Sequence, residues 1–257
     1  MTPSWLRKSW LRRRPTGRGD GTPSVSLERA PDDEKLWYLQ RINIFVDMTE
    51  AEMRRLAQRT TMRTYARGNV IVRPDDPPET IYLIKEGKVK ICRYSATGRE
   101  QILAILDRGD FFGERALVGA RADVQCEAFE DTLICILRRW DFEELLQSKP
   151  DLALRVMKVL AERLRQAEDA IENLAFRDVP GRLAALLVRL AEAYGEPHGQ
   201  GRRLALRFTH HDLASMIGAT RETVTNVLNR FRDDGLITIE ERHIVIREAA
   251  RLRGLGV

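Results

Sequence analysis

The chain has 257 residues, 43% hydrophobic and 32% charged, enough to bury the cores of one large or two ordinary domains. No apolar run approaches the roughly 18 residues of a membrane span, and no charged start leading into an apolar stretch resembles a secretion signal. Three widely separated cysteines (Cys92, Cys126, Cys135) fit a reducing compartment better than a disulfide framework, so a cytoplasmic protein with no membrane partner is expected, with a net charge of +5.

Residues 1–30 carry seven basic and two acidic side chains. Residues 1–33 lack a periodic apolar face, which predicts a disordered basic arm, either touching phosphates or without a role. A short helical region runs from Leu36 to about Leu56. Short β-branched runs follow at residues 70–72, 81–84, 89–91, 101–106 and 133–137. Turn signals at 74–78, 86–88, 97–98 and 108–110 separate them, which predicts an antiparallel β-roll over 34–150. The three cysteines fall in this block and read as small buried strand residues, with a redox-active thiol as the alternative.

Residues 151–177 contain neither Gly nor Pro and place Leu152, Val156, Val159, Leu160, Leu164, Ala167, Ile171 and Leu174 at helical spacing. Such a helix is about 40 Å long at 1.5 Å per residue. It is read as a dimerisation helix, the alternative being a helix that only lies on the β-roll. Asp178 as N-cap and Pro180 in the first turn start a new helix reaching Tyr194, which makes 177–180 a hinge.

Residues 209–237 carry the strongest signal. Leu213, Ala214 and Ile217 line one helix face, a turn follows at 218–220, and Val224, Val227, Leu228 and Phe231 line a second helix. Thr220 stands at the N-cap and Asp234-Gly235 ends the helix. Arg221, Glu222, Thr225 and Asn226 remain outside the apolar face, at the end from which a helix-turn-helix reads the major groove. Arg can bond guanine, Glu cytosine and Asn adenine, and all twelve basic residues of 181–257 are Arg. Residues 236–246 then form a hairpin wing. The predicted fold is α+β: a basic arm (1–33), an antiparallel β-roll sensor domain (34–150), a long dimerisation helix (151–177) and a winged helix-turn-helix DNA-binding domain (178–257).

Over about 34–247 this order resembles the CRP/FNR family of bacterial transcription regulators. The resemblance rests on Gly87-Lys88-Val89, on residues 109–114 (Gly-Asp-Phe-Phe-Gly-Glu), on residues 173–179 at the hinge, and on residues 220–224 of the second helix. It implies a homodimer that binds double-stranded DNA, with RNA polymerase as a further partner and an effector acting on the β-roll. Arg221 and Glu222 match the family's base readers, Asn226 stands at the third reading position, and Thr209, His210, Thr220 and Thr225 complete the expected DNA-binding set.

For the effector, the resemblance implies Gly113, Glu114, Arg121, Asp123, Ala167 and Glu168. Family members that bind cyclic AMP follow the Gly-Glu turn with an Arg-Ser pair. Here Ala122 and Asp123 fall at that position, Arg121 lies one residue early, and the adenine-contacting Thr-Ser falls on Ala167-Glu168. A carboxylate beside a phosphate reverses the preference for an anion, so cyclic AMP is not the expected effector and another small molecule is left open. An iron–sulfur sensor needs Cys near the N-terminus, yet residues 1–91 hold none. A haem sensor would use His, and all four His follow residue 197. No cofactor or metal is assigned.

Three other readings stand beside the regulator. A constitutive DNA binder could retain a vestigial pocket, and a DNA binder could lack sequence preference. A nucleotide-binding regulatory subunit of an enzyme is the third, although no nucleophile–base set, metal cluster or phosphate loop marks the chain itself as an enzyme.

Overall fold

The computed structural model describes residues 26–27 and 42–256. Two antiparallel sheets form the β-roll. The first has the order β1-β2-β9-β4-β7, with β1 Ser26–Leu27, β2 Thr61–Tyr65, β4 Thr80–Glu86, β7 Phe111–Phe112 and β9 Thr132–Arg138. The second has the order β3-β8-β5-β6, with β3 Val70–Val72, β5 Val89–Tyr94, β6 Glu100–Leu106 and β8 Gln125–Ala128. Tyr65, Ile84, Val89, Phe112 and Ile134 fill the space between them. The outer face of the first sheet is also buried, with Ile81, Leu83, Cys135 and Leu137 under helices α1 (Glu50–Gln58), α2 (Arg139–Ser148) and α3 (Pro150–Phe176). Burial on both faces explains why residues 81–84 and 133–137 read as unbroken apolar runs instead of alternating ones.

Residues 26–27 fall within the expected disordered arm. Residues 26–27 pair with Arg63 and Thr64 of β2, because an open sheet edge offers unpaired backbone groups to any extended segment. The rest of 1–33, like residues 36–41 of the expected helical region, lies outside the described residues.

Helix α3 has two apolar faces where the sequence suggested one seam. Leu152 and Val156 are buried against the β-roll, with Val159 and Leu160 packed beside them. A second series at alternating spacings of three and four (Leu154, Met157, Ala161, Leu164, Glu168, Ile171, Ala175) is exposed along the whole helix. The helix therefore lies on the roll with one stripe and leaves a heptad stripe open.

Asp178 caps helix α4 (Val179–Tyr194), its carboxylate accepting from the Gly181 N–H at 2.8 Å. Arg182 ties this hinge to the reader, donating to the carbonyls of Arg177 (2.8 Å) and Ile217 (3.0 Å). Helices α4, α5 (His210–Ile217), α6 (Arg221–Asp233) and α7 (Ala249–Arg253) surround a core that includes Leu187, Leu213, Val224, Leu228, Phe231, Ile237 and Leu252. The wing is one half of a larger sheet, β10-β11-β13-β12, built from Gly195–His198, Gly201–Leu204, His243–Ile246 and Ile237–Glu240 respectively. Phe129, from the loop after β8, enters the reader core and meets Phe208 at a ring-centroid distance of 5.7 Å. Sensor and reader thus share apolar contact.

Candidate nucleic-acid interface

The two helices α5 and α6 are joined at Gly218, whose φ of +65° is the left-handed conformation that glycine adopts without strain. Thr209 caps α5 through a capping box: its hydroxyl accepts from the Asp212 N–H at 3.0 Å, and the Asp212 carboxylate accepts from the Thr209 N–H at 2.8 Å. Thr220 caps α6, accepting from the Thr223 N–H at 3.2 Å. With Val224, Val227, Leu228 and Phe231 buried, the opposite face of α6 is turned to solvent.

Arg221, Glu222 and Asn226 are exposed on that face. Among the described residues, neither Arg221 nor Asn226 makes a side-chain hydrogen bond or ion pair. The Glu222 carboxylate is held below the usual range by its own backbone N–H and by the Thr220 hydroxyl, so it is ionised and accepts hydrogen bonds at neutral pH. Thr225 differs from the other expected readers. Its hydroxyl donates to the Arg221 carbonyl at 2.9 Å and meets His210 Nδ1 at 2.7 Å. A hydroxyl already donating to a carbonyl accepts a hydrogen bond from Nδ1–H, which leaves Nε2 as the free ring nitrogen of His210. Thr225 therefore positions His210 and the first turn of α6, while Thr209 and Thr220 act as caps.

Contacts not read from the sequence hold this reader against the sensor. Arg99, in the turn between β5 and β6, donates to the Gly218 carbonyl at 2.8 Å, and Gln101 donates to the Met216 carbonyl at 3.4 Å. His211 Nε2 lies 3.3 Å from the buried Glu100 carboxylate, which also binds Lys90 at 2.9 Å. Between the β5–β6 hairpin and the α5–α6 turn lies a crevice of about 560 Å³, lined in part by Lys90, Arg99, His211, Thr220 and Arg221. A hairpin of Gly and charged residues gives no periodic signal, so only its tertiary position reveals this role.

The expected effector residues do not converge. Gly113 and Glu114 line a cavity of about 170 Å³ between the two sheets of the β-roll. Gly113 has φ of +88°, and a Cβ there would fall 2.5 Å from the Thr80 carbonyl oxygen, so the close approach of this turn to β4 requires glycine. Glu114 reaches Arg163 of α3 at 3.4 Å, and Arg163 also donates to the Phe111 carbonyl at 2.5 Å, which fastens this turn to the long helix. Arg121 does not line the cavity; its guanidinium donates to the Asp75 carbonyl at 2.8 Å. Asp123 sits between Arg93 and Arg115, 3.0 Å from the latter, so its charge is offset by two guanidiniums instead of facing a ligand. Ala167 and Glu168 are exposed on α3, away from the cavity lining.

All three cysteines are buried and free. Burial pushes the Cys92 thiol up, and that of Cys126 up to about 12, which keeps both protonated and poor nucleophiles. Among the described residues, no group of three or more His, Cys, Asp or Glu could hold a metal ion, and no helix is long and apolar enough to cross a membrane.

Comparison with known proteins matches two family models, a cyclic nucleotide-binding domain over residues 62–149 and a Crp-like helix-turn-helix domain over 181–255. The CRP-like cAMP-activated global transcriptional regulator of Mycobacterium tuberculosis is 31% identical over 220 residues, covering 83% of this chain and 96% of that protein. FixK2 from Bradyrhizobium japonicum is similar in structure, with a TM-score of 0.68 at 26% identity over 77% of this chain and 98% of its own. A CRP/FNR-family transcriptional regulator from Thermus thermophilus gives a TM-score of 0.60 at 30% identity over 76% of this chain and 97% of its own.

Proposed function

The chain belongs to the CRP/FNR family of transcriptional regulators, which are not enzymes, and we propose that it acts as a cytoplasmic homodimer reading an inverted repeat under the control of an effector. The observation that carries base reading is the first turn of α6, where Arg221, Glu222 and Asn226 stand exposed on a helix whose other face is buried. Arg221 pairs with guanine, ionised Glu222 accepts from cytosine, and Asn226 takes adenine. His210, braced by Thr225, is the expected phosphate contact, donating through Nε2 when both ring nitrogens carry hydrogen. The exposed heptad stripe of α3 supports a parallel pairing of two copies, which would set two α6 helices in adjacent major grooves about 34 Å apart. RNA polymerase is the expected further partner.

Fluorescence anisotropy with a pool-selected inverted-repeat duplex tests the reading, with and without cyclic AMP. Arg221→Ala is expected to cost about 1–3 kcal/mol of specific binding, leaving random duplex nearly unchanged. Equal losses on both duplexes would reduce Arg221 to a backbone contact. Binding that appears only with cyclic AMP would restore the nucleotide as effector.

The hairpin contacts support control by release. Arg99 and Gln101 hold the α5–α6 turn through backbone carbonyls, and Arg163 links the cavity turn to α3, so a ligand shifting that turn would bias the hinge. Arg99→Ala is expected to raise DNA affinity of the effector-free protein roughly 2- to 10-fold, the worth of one ordinary hydrogen bond. The same anisotropy titration checks it, and a fall in affinity would assign the contact to the DNA-bound state instead.

A further inference from the structure

The β-roll cavity has a size and a charge that a cyclic nucleotide does not fit. Its volume of about 170 Å³ is close to that of an engineered 150 Å³ apolar cavity that binds benzene, and well below the roughly 300 Å³ at which sites for drug-sized molecules begin. Tyr82 and Phe112 supply an aromatic pair to its lining, stacked face to face at 4.8 Å with 8° between the rings. Ile91, Leu103, Ala122 and Val124 supply much of the remaining apolar lining.

The charged groups at its edge oppose an anion. Two carboxylates and one guanidinium line the cavity: Arg115 is engaged by Asp123 at 3.0 Å and Glu114 by Arg163 at 3.4 Å, which leaves Asp76 as the charge without an ion-pair partner among the described residues. After burial, those same two carboxylates push the Cys126 thiol up. Tyr82 offers the polar handle. Burial raises its hydroxyl to about 12, so it stays protonated at neutral pH and can both donate and accept.

We propose that this cavity takes a neutral, single-ring-sized organic molecule bearing one hydrogen-bonding group, packed against the Tyr82–Phe112 ring pair and bonded to the Tyr82 hydroxyl. The assignment rests on the reading of the chain as an effector-controlled regulator and names the chemical class of the effector. Organic anions, cyclic nucleotides among them, are rejected by Asp76 and by size.

The test is calorimetric titration of the full chain with phenol, toluene, benzoate and cyclic AMP. Phenol is expected to bind once per chain, benzoate at least 10-fold more weakly, and cyclic AMP not to compete with phenol. Ala122→Phe, which fills the cavity, is expected to abolish phenol binding. Tyr82→Phe, a conservative change that preserves the fold if the larger side chain does not, is expected to weaken phenol at least 5-fold and leave toluene unchanged. Benzoate binding as tightly as phenol, displacement of phenol by cyclic AMP, or phenol binding unchanged in Tyr82→Phe would each overturn the proposal. Operator binding separates the two readings. Absent phenol binding with intact operator recognition overturns only the cavity assignment, whereas phenol binding without operator recognition overturns the regulator and leaves the cavity assignment standing.

Discussion

Replacing Leu164 by Asp is expected to weaken binding to the inverted repeat by roughly 10²–10⁴-fold, the advantage a second linked half-site confers. Leu164 is 61% exposed in the single chain and sits at the middle of the stripe Leu154, Met157, Ala161, Leu164, Glu168, Ile171. In the proposed dimer its contacts are made by a second copy, and the chain should remain folded when it is changed. The stripe already holds one carboxylate, Glu168, which in a parallel pairing faces its own counterpart. A second acid one turn earlier would put four like charges on the seam. Sedimentation should show a monomer of unchanged circular dichroism that retains half-site affinity, with Arg221 still contributing. The converse substitution, Glu168→Leu, should tighten the dimer by removing the like-charge pair. Full-strength operator binding by Leu164→Asp would move the dimer interface elsewhere.

What the sequence made legible was what repeats with a period or is fixed by a cap. The buried face of α6, its Thr220 cap, the Gly218 turn and Asp178 at the hinge are all local signals, and the structure places them as read. Helix α3 shows where periodicity runs out. A helix buried along one stripe by the β-roll and open along another presents apolar residues around much of its circumference, and the sequence merges both stripes into one. Strands β10 and β11 carried no signal, since Gly-Glu-Pro-His and Gly-Arg-Arg-Leu neither alternate nor favour extension; β11 is held by pairing Arg202 and Arg203 with Ile246 and Val245. Asp123 was legible as a carboxylate at a phosphate position, but Arg93 and Arg115 flank it only in three dimensions. Electrostatic preference is therefore set by the whole cavity edge, where Asp76 stands without an ion-pair partner among the described residues.

Lys85→Met is expected to stabilise the β-roll by about 3 kcal/mol at pH 7, the free energy of a shift of roughly 2.5 pH units. The sequence reading ends strand β4 at Ile84, but a bulge between Ile84 and Glu86 leaves Lys85 without a ladder partner and turns it inward, to 2% exposure. Among the described residues its ammonium has no hydrogen-bond partner, and burial pushes it down to about 8. An unpaired charge in such a place destabilises the fold, and Met has nearly the same length and volume without the charge. The sign of the pH dependence follows from the depressed value. Between about pH 8 and the unfolded value near 10.5 the unfolded chain binds the extra proton, so the Lys85 protein gains stability as pH rises through that window. The advantage of Lys85→Met should therefore be full at pH 7 and below, fall to roughly half by pH 9.5, and nearly vanish above 10.5. Thermal denaturation should show the variant melting roughly 6–10 °C higher at pH 7. Comparison with the parent at each pH cancels the groups that titrate alike in both, Tyr82 and Cys126 among them. A stability difference that does not change with pH would mean that Lys85 finds a partner for its charge, and a loss of stability would mean that the ammonium holds the bulge together.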